Sequence, residues 1–291
     1  MQAVCFQAVE KVAVESVADP APLRPTDAVV AVSVAGLCGS DLHPYFGREA
    51  GLDSGTVMGH EFVGRVVAAG AEVRGFAVGD RVCAPFTTSC GHCFYCASGL
   101  SARCEQGELF GWRSGGRGLH GGQAEFVRVP LADGTLVAVP DEVDDETALL
   151  LGDNLSTGYY AARLAAVEPG SIVAVIGCGT VGLLSVAWAR RFDAARVFAF
   201  DPVESRRALA GRLGAETEVD EESFTAALLE ATAGRGADAV MEVVGLPAAQ
   251  RLGFELLRPG GTLASIGCHA EPRFAFSPGD AYDKNLVYRT G

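Results

Sequence analysis

The sequence predicts an α/β protein in which a β-rich, loop-rich first half precedes a second half built from strands and helices in alternation around a parallel sheet. Two observations carry this. In the first half, short valine-rich runs at 28–34 and 62–68 are separated by turn clusters such as Ala35-Gly36 and Gly70, the pattern of short strands joined by turns. From Gly170 onward, apolar strand-like runs alternate with helical periods, which is the signature of βαβ units. In order, the second half reads as a strand at 172–176, a helix at 181–192, a strand at 197–200 and a helix at 205–213. A strand at 239–244, a helix at 247–257, a strand at 262–266 and a strand at 286–289 complete it. The change of pattern sets a boundary near 153–156, giving domains of 1–153 and 154–291.

Composition narrows the function. The 291 residues are 49% hydrophobic and 20% charged, ordinary for a folded chain and enough for two domains. The 37 glycines follow no triplet period and cluster in turns, so low complexity is excluded. A net charge of -13 repels phosphate backbones and anionic lipid, which argues against nucleic-acid and membrane partners. No apolar run approaches the length of a membrane span and no basic, hydrophobic leader opens the chain, so a cytoplasmic location is expected. Nine cysteines in such a chain read as thiols or metal ligands rather than disulfides.

The segment Val173-Ala-Val-Ile-Gly177-Cys-Gly179-Thr180-Val181-Gly182 places G-x-G-x-x-G after a strand and at the head of a helix. Gly177 permits the tight turn, Gly179 lets a pyrophosphate approach the backbone and Gly182 lets helix and strand pack closely. The helix N-terminus, with Thr180 and Val181 in its first turn, offers amide groups to the phosphates. Asp201 follows the next strand, where an acid accepts hydrogen bonds from an adenosine ribose. This favours NAD over NADP; Arg206 and Arg207, close by in sequence, soften the preference.

Cys90, Cys93, Cys96 and Cys104 supply four thiolates within one loop, a set suited to a closed, structural tetrahedral zinc. An iron–sulfur cluster uses similar ligands, and spacing alone does not separate the two. His92 lies inside the loop and is expected to face solvent. Cys38, His60 and Glu61 form a second, looser constellation. Taken singly, Cys38 reads equally as a core thiol and His60 as a turn residue. Asp153 alone reads as the N-cap of a helix beginning near Ser156.

Together these segments resemble the zinc-dependent medium-chain alcohol dehydrogenase family, over a stretch from about Val4 to the last residue. The resemblance implies a GroES-like catalytic domain followed by a Rossmann domain that binds NAD. It implies two zinc ions per chain. Cys38 and His60 match the first two ligands of the catalytic zinc. The third falls at Asp153, within Gly152-Asp153-Asn-Leu-Ser156-Thr157-Gly158-Tyr159, where relatives carry cysteine or glutamate and some bacterial members aspartate. Glu61 matches a residue that approaches the metal during ligand exchange. Ser40 matches the relay hydroxyl, with His43 as the next proton carrier.

The implied reaction is hydride transfer between a small, largely apolar primary or secondary alcohol, or the matching aldehyde or ketone, and NAD. Phe86 matches an aromatic pocket position, and Phe46, Phe110 and Trp112 extend the apolar lining. A formaldehyde dehydrogenase or dismutase-like activity is the alternative enzyme, since such relatives carry aspartate at the position of Asp153. A non-enzymatic NAD-binding zinc protein is the alternative outside enzymology. Family members form homodimers or homotetramers, partly by pairing the strand matched at 286–289. They also continue for several tens of residues beyond it in a segment that returns to the first domain, so that segment is expected to be absent from this chain.

Overall fold

The computed structural model describes residues 1–270 and 273–291 and separates the chain into two units, Met1–Asp153 and Asn154–Gly291. The first unit opens with an antiparallel hairpin of β1 (Gln2–Ala8) and β2 (Lys11–Ser16), which the sequence reading had not placed. Its main sheet contains β3 (Ala28–Ala35), β4 (Phe62–Ala69) and β5 (Arg81–Cys83). After a small hairpin of β6 (Trp112–Ser114) and β7 (Arg117–Leu119), β8 (Phe126–Val129) and β9 (Val137–Ala138) complete that sheet. The order is β8-β3-β4-β5-β9 and every pairing is antiparallel. Val30, Val66, Val82, Val127 and Val129 are buried on one side around Phe62 and Phe110, whose rings meet edge-to-face at 5.1 Å.

One register position matters for function. Ala35 at the end of β3 pairs with Phe62 at the start of β4, so the loop after β3 and the loop before β4 leave the sheet at the same end. Cys38 lies in the first loop and His60 in the second. A helix at Asp145–Gly152, N-capped by the Asp144 carboxylate accepting from the Thr147 N–H at 2.7 Å, packs on β3 and β4. It stops at Asp153, whose backbone leaves helical geometry (φ -139°, ψ -72°). The next helix runs from Asn154 to Leu164, starting earlier than the expected position near Ser156.

The second unit is a parallel sheet of β10 (Ile172–Ile176), β11 (Arg196–Phe200), β12 (Ala237–Glu242), β13 (Leu257–Ser265) and β14 (Val287–Thr290). Its order is β11-β10-β12-β13-β14, so the chain reverses direction across the sheet between β10 and β12. Side chains alternate: Val173, Val175, Val197, Ala199 and Met241 face one core, and Ala174, Ile176, Phe198, Val240 and Leu263 face the other. Burial on both faces explains the near-continuous apolar runs of the sequence. Helices at Thr180–Arg191, Glu204–Arg212, Glu221–Ala231 and Pro247–Leu256 cover it.

The expected strand at 239–244 ends two residues early, at Glu242. Its carboxylate accepts the N–H groups of Val244 and Gly245, both at 2.7 Å, and so turns the chain out of the sheet. Among the described residues, no helix is long and apolar enough to cross a membrane.

Candidate active site and metal centres

Cys38, His60, Glu61 and Asp153 converge in the first unit, each offering a ligand atom within 4.8 Å of the others. The His60 Nε2 atom is 3.4 Å from Asp153 Oδ2 and 4.0 Å from Glu61 Oε1. Its other nitrogen, Nδ1, is 3.3 Å from Asp41 Oδ1. A proton on Nδ1 therefore leaves the Nε2 lone pair facing Cys38 and Asp153, the tautomer a metal requires. Asp41 is itself pinned, accepting from the Cys38 N–H at 2.9 Å and the Gln123 side-chain amide at 3.3 Å.

This donor set fits a zinc ion. Thiolate, imidazole and carboxylate at bond lengths of about 2.0–2.3 Å place tetrahedral ligand atoms roughly 3.3–3.8 Å apart, and the His60 to Asp153 separation of 3.4 Å lies in that range. The electrostatics of the cage agree. Burial pulls the His60 imidazole down, but hydrogen bonds from Asp153, Asp41 and Cys38 overcome it and push the group up to about 12. The surroundings are thus built for a cation, which a proton supplies only in a metal's place. Glycine at 36 makes room for the Glu61 carboxylate, since a Cβ there would lie 2.2 Å from its Oε2.

Of the hydroxyl and the imidazole expected as relay, the hydroxyl stands at this cage. Ser40 Oγ is 3.3 Å from His60 Nε2, on the ligand side of the ring. His43 is 8% exposed and its Nδ1 is buried without a hydrogen-bond partner. Burial, aided by the Arg48 charge and opposed by Glu49, holds this imidazole below its ordinary 6.5.

The four cysteines of the loop also gather, their sulfurs within 4.8 Å of one another. Cys93 and Cys104 sulfurs are 3.9 Å apart, close to the roughly 3.8 Å of a tetrahedral Zn–S₄ site. Backbone amides are aimed at sulfur: Cys90 and Gln106 N–H donate to Cys104 at 3.2 and 3.4 Å, and Cys93 N–H donates to Cys90 at 3.3 Å. The amides of Cys96 and Glu105 draw Cys93 down to about 6. Desolvation and the neighbouring sulfurs push Cys96 up to about 11. Four thiolates so close need a divalent cation, and the set has no open position. His92 faces solvent, with Nδ1 2.8 Å from its neighbour Cys90 O.

In the second unit the glycine turn follows β10 as expected. Gly177 has φ +97°, and a Cβ on Gly182 would lie 1.9 Å from Gly177 O, so both positions require glycine. A Cβ at Gly179 meets nothing within 4 Å; the backbone there is open to approach. Gly179 caps the helix Thr180–Arg191 without any side-chain hydrogen bond, leaving its first amides available. Asp201 is 3% exposed. Its Oδ2 accepts from the Cys178 N–H and its Oδ1 from the Val203 N–H, both at 2.9 Å, and Arg206 Nη1 is 3.5 Å away.

Residues 24–141 match the family model described as alcohol dehydrogenase GroES-like domain, and 180–289 match the one described as zinc-binding dehydrogenase. The chain belongs to the zinc-binding medium-chain alcohol dehydrogenase family. A medium-chain reductase/dehydrogenase of an Acremonium species is 44% identical over 97% of this chain and 98% of its own length. A zinc-type alcohol dehydrogenase B of Aspergillus flavus is 45% identical over all of this chain and 69% of its own. Among solved structures, the alcohol dehydrogenase of Thermus sp. ATN1 superposes with a TM-score of 0.92 at 38% identity, covering 100% of this chain and 84% of that one. The protein is therefore a zinc-type oxidoreductase of the alcohol dehydrogenase kind, with a GroES-like unit and a Rossmann unit.

Within this alcohol dehydrogenase the expected aromatic lining is divided. Phe110 is 1% exposed and committed to the core against Phe62, whereas Phe86 is 37% exposed and Trp112 is half-buried in β6. Phe46 is exposed and carries the Arg48 guanidinium over its ring at 5.4 Å. Sequence reasoning missed Asp41 and Gln123, which orient the ligands. The only available signal for Asp41 was its place three residues after Cys38.

Proposed function

We propose that this chain oxidises small, largely apolar primary or secondary alcohols, and reduces the matching carbonyls, using NAD. The observation that supports this most is the convergence of Cys38, His60 and Asp153 beside Ser40, a three-ligand cage with a hydroxyl at its edge. A zinc held by these residues would supply the Lewis acid that lowers the pKa of an alcohol oxygen, and a bound nicotinamide would supply the hydride acceptor. Every other task falls to the chain.

Asp41 holds the His60 ring so that Nε2 faces the site. Ser40, the hydroxyl nearest to Nε2, takes the proton released by the substrate. His43, buried and held below its ordinary range, is neutral at neutral pH and receives that proton next. Glu61, in the space that glycine at 36 leaves and 4.0 Å from His60 Nε2, stands close enough to replace a departing ligand. Gly177 to Gly182 cradle the pyrophosphate, and Asp201 accepts from the adenosine ribose. Phe86 supplies apolar surface to the substrate.

The test joins metal content with turnover. Two zinc ions per chain and alcohol-dependent NADH formation are expected, with Asp153→Ala abolishing turnover while leaving dinucleotide affinity within about twofold. One zinc per chain and no turnover across a panel of alcohols and aldehydes would leave a non-enzymatic NAD-binding zinc protein as the better reading. Turnover confined to formaldehyde would favour the formaldehyde dehydrogenase or dismutase-like one.

A further inference from the structure

At the carboxyl end of the parallel sheet one buried carboxylate fastens two loops together. Glu242, the last residue of β12, is 0% exposed. Its Oε1 accepts the Val244 and Gly245 N–H groups at 2.7 Å each. Its Oε2 lies 2.6 Å from Ser265 Oγ and 2.8 Å from His269 Nε2, and those two atoms are 2.8 Å from each other. Glu242 and Ser265 are register partners across β12 and β13, while His269 arrives from the loop after β13.

The backbones interlock at the same point. Ile266 N–H donates to Glu242 O at 2.8 Å. A Cβ on Gly267 would lie 2.0 Å from Gly245 N, and one on Gly245 would lie 2.4 Å from Cys268 O. The fastened loop also touches the dinucleotide turn, because a Cβ on Gly177 would come within 2.6 Å of Val244 Cγ2.

A sheet has no need of such a group. Burying a carboxylate is costly even when every lone pair is satisfied, and apolar side chains at both strand ends would pack at lower cost. The expense falls beside the reversal of strand order, where open parallel sheets bind their ligands. Asp201 serves the β11 side of β10, which leaves the β12 and β13 side for the other half of a dinucleotide.

We propose that Glu242, Ser265 and His269 are positioning residues that hold the loops at 243–246 and 266–269 in the shape that receives the nicotinamide half of the cofactor. This rests on the dinucleotide reading of Gly177 to Gly182. His269 is the member that can be removed without emptying the core, since its side chain is 21% exposed.

The test is calorimetric titration of the zinc-loaded full chain with NADH and with ADP-ribose, which lacks the nicotinamide; NADPH and 2′-phospho-ADP-ribose run alongside. In His269→Leu the affinity for the reduced cofactor falls about tenfold while that for the ADP-ribose ligand stays within about twofold, and His269→Gln, which keeps a donor toward Glu242, recovers most of the loss. Ser265→Ala shows the same split, and melting curves verify that the variants are folded. Equal weakening of both ligands, or none of either, overturns the positioning role. A wild-type chain that binds neither ligand overturns the dinucleotide reading itself, and this role with it.

Discussion

His60 Nδ1 sits 3.3 Å from Asp41 Oδ1, and this contact leaves Nε2 as the ring nitrogen turned toward Asp153. Asp41 is 7% exposed and its other oxygen holds the Cys38 N–H, so one carboxylate orients two ligands of the same site. Removing it frees the ring to rotate and to protonate Nε2. Partners of this kind are typically worth about 10- to 100-fold in metal affinity. Asp41→Ala is therefore expected to weaken the Cys38–His60–Asp153 zinc by that factor while the four-cysteine zinc is kept. A competition titration against a chromophoric chelator measures both; unchanged affinity at the first site would remove Asp41 from the metal centre.

The two metal centres should part company on chelation. On the proposed assignment one has three ligands, Cys38, His60 and Asp153, and an open position where a chelator can attack; the other is closed by four sulfurs. Zinc is expected to leave in two phases, the first abolishing turnover with little change in circular dichroism. The second exposes four thiols to alkylation, with Cys93, drawn to about 6 by backbone amides, reacting fastest. Mass spectrometry of the alkylated chain after each phase reads the order. Alkylation of Cys90 to Cys104 before activity is lost would reverse it.

Much of this was legible in the residues, for identifiable reasons. The Rossmann unit announces itself because both faces of β10 and β11 are buried, which forces continuous apolar runs such as 172–176. Gly177 and Gly182 are visible because backbone conformation and a 1.9 Å approach admit no side chain. The four cysteines are visible because a single loop must supply the whole metal. The Cys38–His60–Asp153 cage is different. Its members are brought together by the pairing of Ala35 with Phe62 and by a helix from far along the chain, so the resemblance carried them where spacing could not. Glu242 and His269 were not legible for the same reason: parallel register sets Glu242 beside Ser265 and the loop after β13 then brings His269 to the carboxylate, and neither residue belongs to a motif. Phe110 shows the converse, an aromatic that sequence offers to a pocket and packing gives to the core.

The proposed relay role of His43 implies a pH dependence. Burial and Arg48 hold the imidazole below its ordinary 6.5, against an opposing pull from Glu49. The neutral form, the proposed proton acceptor during alcohol oxidation, therefore persists below the usual histidine range. Alcohol oxidation is expected to fall only on the acid side of 6.5, and His43→Gln to flatten that limb while lowering kcat about 10-fold or more. Profiles of kcat for both proteins, with zinc content assayed at each pH, provide the measurement. An identical acid limb in the variant would take His43 out of the proton path.

The proposed cofactor choice turns on Asp201 and Arg206, whose charged groups lie 3.5 Å apart. The Asp201 carboxylate accepts two backbone amides, from Cys178 and Val203, and so ties the glycine turn to the end of β11. On the proposed reading its remaining lone pairs would accept from an adenosine ribose, and a 2′-phosphate there would meet a carboxylate. Arg206, 3.5 Å away with a side chain 54% exposed, offers the opposite charge and can swing outward. The fixed carboxylate should prevail over the mobile guanidinium, because the arginine pays entropy to hold its place. NAD is thus expected to exceed NADP in kcat/KM by about tenfold or more, a margin of roughly 1.4 kcal/mol. Asp201→Ser keeps an acceptor for one amide while deleting the charge, and should bring the ratio near unity or below, with some loss of melting temperature from the amide left unpaired. A wild-type preference for NADP would assign the choice to Arg206, and Arg206→Ala would then be the variant that abolishes it.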